Sequence, residues 1–371
     1  MNFTTDALLA AIRPWVEHET PTDAPAAVSA LMARVAAEAR AAGARAEIIP
    51  GRDGFGDHLL LRSPWGGDAP GILVLSHLDT VHPMGMLARM PFRVQDGIAH
   101  GPGIYDMKAG ARLAFEAFLS FMLAATPTPL PITYLFNSDE EVGSPTSRDL
   151  IRSLGARAKY VLVTEPARNG GRIVTARKGA ARFDLHVKGR AAHSGSRHED
   201  GRSAIGELAH QIIALHAMTD YARGVTVNVG TVAGGTRPNV VAEEARAAID
   251  MRLPTPAIAQ EMLARVFALK PHDPDVTLTI TGGLNRPPYE KTPGIAALFE
   301  HARGLAAEIG FELQDLKTGG GSDGNFCADL APVLDGLGAD GKGGHTDHEQ
   351  IDLDSLVPRA LLLRRLMETL T

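Results

Sequence analysis

A histidine and an aspartate stand two residues apart in Ser76-His77-Leu78-Asp79-Thr80, directly after the apolar run Ile72 to Leu75. In an extended strand that spacing puts both side chains on one side. It suits a metal-binding imidazole and a carboxylate that takes the other ring proton, although a structural His-Asp pair is the plainer reading of these residues alone. The loop Gly101-Pro102-Gly103-Ile104-Tyr105-Asp106-Met107-Lys108 offers one carboxylate before a helix expected from about Ala109, where capping by itself would also favour aspartate. Asp139-Glu140-Glu141 follows the apolar run Ile132 to Phe136. Three adjacent carboxylates repel one another and are costly to desolvate unless a cation lies among them; a solvated loop is the alternative. Glu165 follows Tyr160 to Val163, and either His345 or His348 in Gly343-Gly344-His345-Thr346-Asp347-His348-Glu349 is a further candidate ligand, with a surface loop as the alternative. Together two histidines and three carboxylates at converging strand ends suffice for two metals that share one carboxylate. Zinc suits such borderline ligands, with cobalt or manganese as substitutes.

These groups need a scaffold that brings strand ends together. Short apolar runs recur between helical stretches, which predicts an α/β protein with a mixed, largely parallel sheet flanked by helices. Ligands of such sheets collect beyond the carboxyl ends of the strands. From about Lys178 to Arg286 the pattern changes: Ala181 to Val187 and Val225 to Val232 alternate as half-exposed strands, while Arg202 to Met218 and Pro256 to Leu269 have helical spacing. The order strand, helix, strand, strand, helix, strand predicts an inserted ferredoxin-like α+β domain over 178–286. The first domain then comprises 1–177 and 287–371, with helices over Thr292 to Ile309 and Leu353 to Leu370 and a strand at Ala331 to Leu334. Glycines at Gly179 and Gly282-Gly283 are candidate hinges.

A length of 371 residues fits two domains. The net charge of -6 with scattered Lys and Arg gives no stripe for a nucleic-acid backbone, so no nucleic-acid partner is expected. The single cysteine, Cys327, rules out an intramolecular disulfide and a cysteine-built zinc site, and nothing in the sequence pairs it with a base. No window approaches the roughly 18 apolar residues of a membrane span. Asp6, Arg13, Glu17 and Glu19 interrupt the first segment, so a signal peptide is not expected and the location predicted is cytoplasmic. Gly319-Gly320-Gly321-Ser322-Asp323 lacks the Lys-Ser/Thr pair of a phosphate loop; a backbone nest and helix start that cradles a carboxylate is preferred.

In consistent order along nearly the whole chain, Ser-His-Leu-Asp-Thr-Val, Gly-Pro-Gly-Ile, Phe-Asn-Ser-Asp-Glu-Glu, Thr-Glu-Pro, Gly-Arg-Ala-Ala-His-Ser and Gly-Gly-Gly-Ser-Asp are similar to the co-catalytic zinc aminoacylase and carboxypeptidase family. That family includes acetylornithine and succinyl-diaminopimelate deacylases, and the likeness is greatest to its bacterial glutamate carboxypeptidase branch. The resemblance implies a zinc-exopeptidase-like fold. It also implies that His77, Asp106 and Glu165 hold one zinc, and that Asp106, Glu141 and His345 hold the other, with Asp106 as the bridge and Asp79 orienting His77. Glu140 matches the family's catalytic carboxylate, and the chemistry agrees, because a water shared by two metals needs a base that is not itself a ligand.

The resemblance further implies a homodimer built through the inserted domain, a lid in which His193 reaches the active site of the other subunit and donates to the oxyanion. Arg286, in Asn285-Arg286-Pro287-Pro288, falls where the branch holds the substrate α-carboxylate, a role suited to a guanidinium. Asn239 matches a substrate-facing asparagine, and Arg172 falls where a basic residue meets the side-chain carboxylate. The implied activity is hydrolysis of an amide to an amino acid with a free carboxylate, glutamate first, in a small N-acyl amino acid or peptide. A deacylase of another N-acyl amino acid is the alternative within the class. A metal-binding relative without turnover is the alternative outside it, and Glu140 argues against that reading. Met107 departs from the branch, which usually has a second aspartate there, at a position where family members often place a cis peptide. Val174 departs where the glutamate enzyme has a hydroxyl.

Overall fold

The apolar runs that precede the acidic clusters are strands of one sheet. A computed structural model describes residues 3–371. In it, β1 (Arg45–Ile49), β2 (His58–Arg62), β3 (Gly71–His77), β4 (Ile132–Asn137) and β5 (Ala158–Val163) lie in the order β1-β2-β4-β3-β5, with Val333–Leu334 at the outer edge. β3 runs parallel to β4 and β5, and Val333–Leu334 parallel to β5, whereas β2 is antiparallel to both β1 and β4. The sheet is mixed, and the acidic clusters leave its parallel half.

These strands are apolar on both faces because both are covered, as parallel strands require. On β3, Ile72 and Val74 join a core with the helices Thr5–Val16, Pro25–Ala41, Ala109–Leu123, Pro293–Ile309 and Leu356–Thr369. Leu73 and Leu75 face a second core with Ile151, Phe326 and Cys327. Each such side chain contributes about 1.5–3 kcal/mol by leaving water. Cys327 is part of that packing: a Cβ on Gly155 would stand 2.6 Å from its sulfur. Burial pushes its thiol well above the ordinary range, consistent with the absence of a role assigned to it.

The second region folds as the alternating pattern required. β6 (Gly179–Lys188), β7 (Thr226–Gly234), β8 (Glu244–Leu253) and β9 (Thr277–Arg286) form an antiparallel sheet in the order β7-β8-β6-β9. The helices Ala204–His216 and Pro256–Phe267 cover one face, against Phe183, Leu185, Val187, Ile249 and Met251. One expectation is corrected here. Gly282-Gly283 is no loop hinge but lies inside β9, opposite Phe183 and Arg182. A Cβ on Gly282, whose φ is +106, would stand 2.2 Å from the Arg182 carbonyl oxygen, so glycine serves a close strand approach there.

By its contacts the chain divides into one unit of residues through Ala176, Lys291–Lys317 and Ser322–Thr371, and a second of Arg177–Glu290 and Thr318–Gly321. The glycine run therefore belongs with the second unit. The Arg177 guanidinium donates to the carbonyls of Gly320 (3.1 Å) and Gly321 (3.2 Å), and the Lys178 N–H donates to Thr318 O (3.0 Å). Ser322 and Asp323 are in the first unit, where Ser322 caps only the short turn Asp323–Phe326. The expected carboxylate cradle is thus divided between the units, and no long helix starts there. Among the described residues no helix is long and apolar enough to cross a membrane.

Candidate metal centre

β3 ends on His77, whose Nδ1–H donates to the backbone carbonyl of Asp79 at 2.9 Å. That bond assigns the tautomer and aims Nε2 away from the strand. The Asp79 carboxylate lies 3.5 Å from the same nitrogen. It also accepts from Thr22 Oγ1 (2.8 Å) and from the backbone N–H groups of Glu140 and Glu141 (3.2 Å each). One buried carboxylate therefore ties the end of β3 to the turn Glu140–Val142 that follows β4.

Asp106 sits in the wide turn Ile104–Lys108, and the Asp106–Met107 peptide bond is cis. This loop is held by a residue to which the sequence reading assigned no role. Glu349 is buried and accepts from the N–H groups of Gly103 (3.0 Å), Tyr105 (2.8 Å) and Asp106 (2.8 Å), while His82 Nε2 lies 2.5 Å from its other edge. A buried carboxylate is stable only with such donors. The available signal was a glutamate, four residues after His345, at the end of a glycine-rich segment.

The two oxygens of Asp106 face two histidines. His77 Nε2 is 3.3 Å from Oδ1 and 3.7 Å from Glu165 Oε1. His345 Nε2 is 3.4 Å from Oδ2 and 3.2 Å from Glu141 Oε2. His77, Asp106 and Glu141 each present a ligating atom within 4.8 Å of the others, and so do His77, Glu140 and Glu165. His77 Nε2 and Glu141 Oε1 are buried without a hydrogen-bonding partner, which is costly for polar atoms unless something else engages them. The donor set, two imidazoles among carboxylates, fits divalent cations of the zinc type.

The electrostatics agree. Burial would raise the Asp106 carboxyl, but the facing imidazoles of His345 and His77 hold it well below the carboxylate range. Burial pushes Glu141 up to about 8. The carboxylates of Asp106 and Glu141 raise His345 to about 11, and for His77 those of Asp106 and Asp79 outweigh the opposing effect of burial. The cluster demands positive charge.

Two neighbours have other roles. Asp139 does not join the cluster: its carboxylate accepts from Thr146 N (2.6 Å), Thr146 Oγ1 (2.7 Å), Ser147 N (3.2 Å) and Ser147 Oγ (2.6 Å). The cation beside Glu165 is Arg168, with Nη2 3.8 Å from Oε2 and its guanidinium over the Tyr105 ring. Arg172 is exposed, on the far strand of the tight turn whose backbone pairs it with Arg168. Val174, two residues on, is buried.

In the second unit His193 is exposed and its Nδ1 accepts from the N–H groups of Gly195 (3.1 Å) and Ser196 (3.2 Å). Its Nε2 therefore bears the proton of the neutral ring and is a donor. Asn239 is its neighbour, through Ser194 N to Asn239 O at 3.1 Å. Arg286 ends β9 and is buried; a Cβ on Gly321 would stand 2.6 Å from its Cδ, so glycine leaves room for it.

Residues 73–369 match the model of Peptidase family M20/M25/M40, and the chain belongs to that family. It is 31% identical over 310 residues to carboxypeptidase G2 of Pseudomonas sp. (strain RS-16), covering 81% of this chain and 74% of the relative. It is 29% identical over 331 residues to succinyl-diaminopimelate desuccinylase of Delftia acidovorans, covering 83% and 84%. The fold is shared with a tripeptidase of Staphylococcus aureus, at a TM-score of 0.82 and 20% identity over 99% of both chains. It is also shared with a metallo-carboxypeptidase of Sulfolobus solfataricus, at a TM-score of 0.73 and 15% identity over 97% of this chain and 98% of that one. The protein is thus a metal-dependent hydrolase of the peptidase and amidohydrolase class.

Proposed function

We propose that the protein is a two-zinc amidohydrolase that releases a C-terminal amino acid with a free carboxylate, glutamate first, from a peptide or N-acyl amino acid. One observation carries this reading: Asp106 stands with one oxygen toward His77 and the other toward His345, with Glu165 and Glu141 beside those imidazoles. His77, Asp106 and Glu165 would hold one zinc, and Asp106, Glu141 and His345 the second. Bound zinc would acidify water and polarise the amide carbonyl.

Glu140 is half-buried at the start of its turn, its backbone held by Asp79. It takes a proton from the attacking water as the C–O bond forms, then delivers it to the amine nitrogen as the C–N bond breaks. The oxyanion receives a hydrogen bond from Nε2 of the partner subunit's His193, with Asn239 beside the substrate. Arg286 binds the α-carboxylate. Arg172 remains the candidate for the side-chain carboxylate of glutamate, although its exposed position and the buried Val174 leave room for another amino acid. A desuccinylase among the relatives supports the deacylase alternative in the same terms.

The test is a screen of zinc-loaded protein on N-acyl-glutamate, peptidyl-glutamate, N-acyl-aspartate, N-acetylornithine and neutral N-acyl amino acids, with and without chelator. Chelator-sensitive glutamate release is expected. Release of other amino acids alone replaces the glutamate reading with the deacylase one. Glu140→Gln is expected to lower turnover by about 10²–10⁴-fold with zinc content unchanged; unchanged turnover would remove Glu140 from the chemistry. A dilution series in which monomers keep full activity would remove the partner subunit's His193.

A further inference from the structure

Within the first unit, an open pocket of about 540 Å³ borders Glu141. Phe55, Val81, Pro83 and Val142 supply its apolar wall, and Asp23 and Glu141 are its charged residues; no lysine or arginine lines it. Val81 and Val142 are each 41% exposed, apolar side chains held toward water beside a cluster of carboxylates. The size and the mix of apolar wall with few polar groups are those of a small-molecule site.

The wall is built in advance. Phe55 N–H donates to Arg52 O at 3.0 Å, Gly51 N–H donates to Asp57 Oδ1 at 2.8 Å, and Gly56 O accepts from Ser138 Oγ at 2.6 Å. The last bond ties the loop of Phe55 to the segment that leads into Glu140, and Val142 ends the turn that carries Glu140 and Glu141.

An amide substrate of the proposed kind has two arms. The amine arm ends in a free carboxylate and needs a cation, which this pocket does not supply. Asp23 repels it instead, and an unpaired carboxylate held against an apolar wall is costly. That leaves the acyl arm. We propose that the pocket receives the acyl side of the scissile amide and selects acyl groups that are apolar and uncharged, rejecting those that end in a carboxylate. This rests on the amidohydrolase reading above and adds to it the direction of substrate selection and the residues that set it.

The experiment measures kcat/KM of the zinc-loaded protein for N-benzoyl, N-acetyl and N-succinyl derivatives of the amino acid released fastest in the screen. The wild type is expected to prefer benzoyl over succinyl by at least about 100-fold, a discrimination that adds repulsion to lost apolar contact. Phe55→Ala is expected to lower benzoyl turnover about tenfold more than acetyl. Val142→Arg, at an exposed position that tolerates a long side chain, is expected to raise the succinyl-to-benzoyl ratio at least about tenfold. Equal losses for all three substrates in Phe55→Ala, or a wild type that prefers succinyl, would overturn the inference while leaving the amidohydrolase reading intact. Failure to hydrolyse any of the amides in the screen would overturn both.

Discussion

His77 and His345 face opposite oxygens of one aspartate, yet the chain supports them in different ways. His77 ends a strand paired on both sides, is 1% exposed, and has its ring fixed by the Asp79 carbonyl. His345 is 53% exposed and stands at φ +66 in a loop, after Gly343 at φ +80. The turn in which Thr346 N–H and Oγ1 donate to Gly343 O supports it locally. A left-handed histidine costs roughly 1–2 kcal/mol, and such conformations gather at functional positions. One imidazole is thus preformed by the sheet and the other is closed by a loop, so the two sides of Asp106 are not supported equally, and on the two-zinc proposal the two ions would not be held equally.

Alanine at each histidine tests this most directly. His77→Ala is expected to lower turnover by more than about 100-fold, beyond what loss of a residue that only supports a ligand costs. It should also destabilise the metal-free protein by about 1–3 kcal/mol, because buried partners lose their donor. His345→Ala should lower turnover comparably but lower the melting temperature of the metal-free protein less than His77→Ala does, because the half-exposed ring loses ion pairs that water partly screens, and dialysis should leave one zinc per subunit instead of two. Equal zinc loss in both variants, with equal changes in melting temperature, would break the contrast between strand and loop.

Glu349→Gln sharpens it from the side of the shared aspartate. The three N–H groups around Asp106 all donate to this one carboxylate, and the substitution puts an amide NH2 against donors. Zinc affinity should fall by about 10–100-fold with secondary structure retained, read by competition with a coloured chelator. An unchanged affinity would mean that the loop is held by its own turn geometry, and that Glu349 serves packing alone.

Much of this was legible in the sequence for a physical reason: the strand runs are apolar throughout, and each hands its cluster to the same end of the parallel half of a mixed sheet. The ferredoxin-like order of the second unit was readable from two periodicities, 2 and 3.6, alternating over about a hundred residues. What the sequence could not show was which backbone and hydroxyl donors each buried carboxylate takes. Asp139 and Glu349 stand in the same motifs as Glu141 and His345, yet N–H and hydroxyl donors occupy both, and Asp79, expected to orient His77, also takes the N–H groups of Glu140 and Glu141. Only the fold fixes which donors reach which carboxylate. Gly282-Gly283 went wrong in the same way, since a glycine pair reads as a joint until the facing strand shows why no side chain fits.

Asp139 gives the mildest and most selective test of that division. It lies next to Glu140 in a run of three acids, so a reading from charge alone would have it share the cation. Its four hydrogen bonds instead gather Thr146 and Ser147 at the start of the helix Arg148–Gly155. Asp139→Asn keeps the shape but replaces an acceptor that satisfies donors on both oxygens with a group that is half donor. The expected result is a loss of about 1–3 kcal/mol in stability, seen in denaturant unfolding, with zinc content and affinity as in the wild type. If the variant instead lost zinc at unchanged stability, Asp139 would belong to the metal centre, and the split between carboxylates that bind metal and carboxylates that hold loops would have to be redrawn around it.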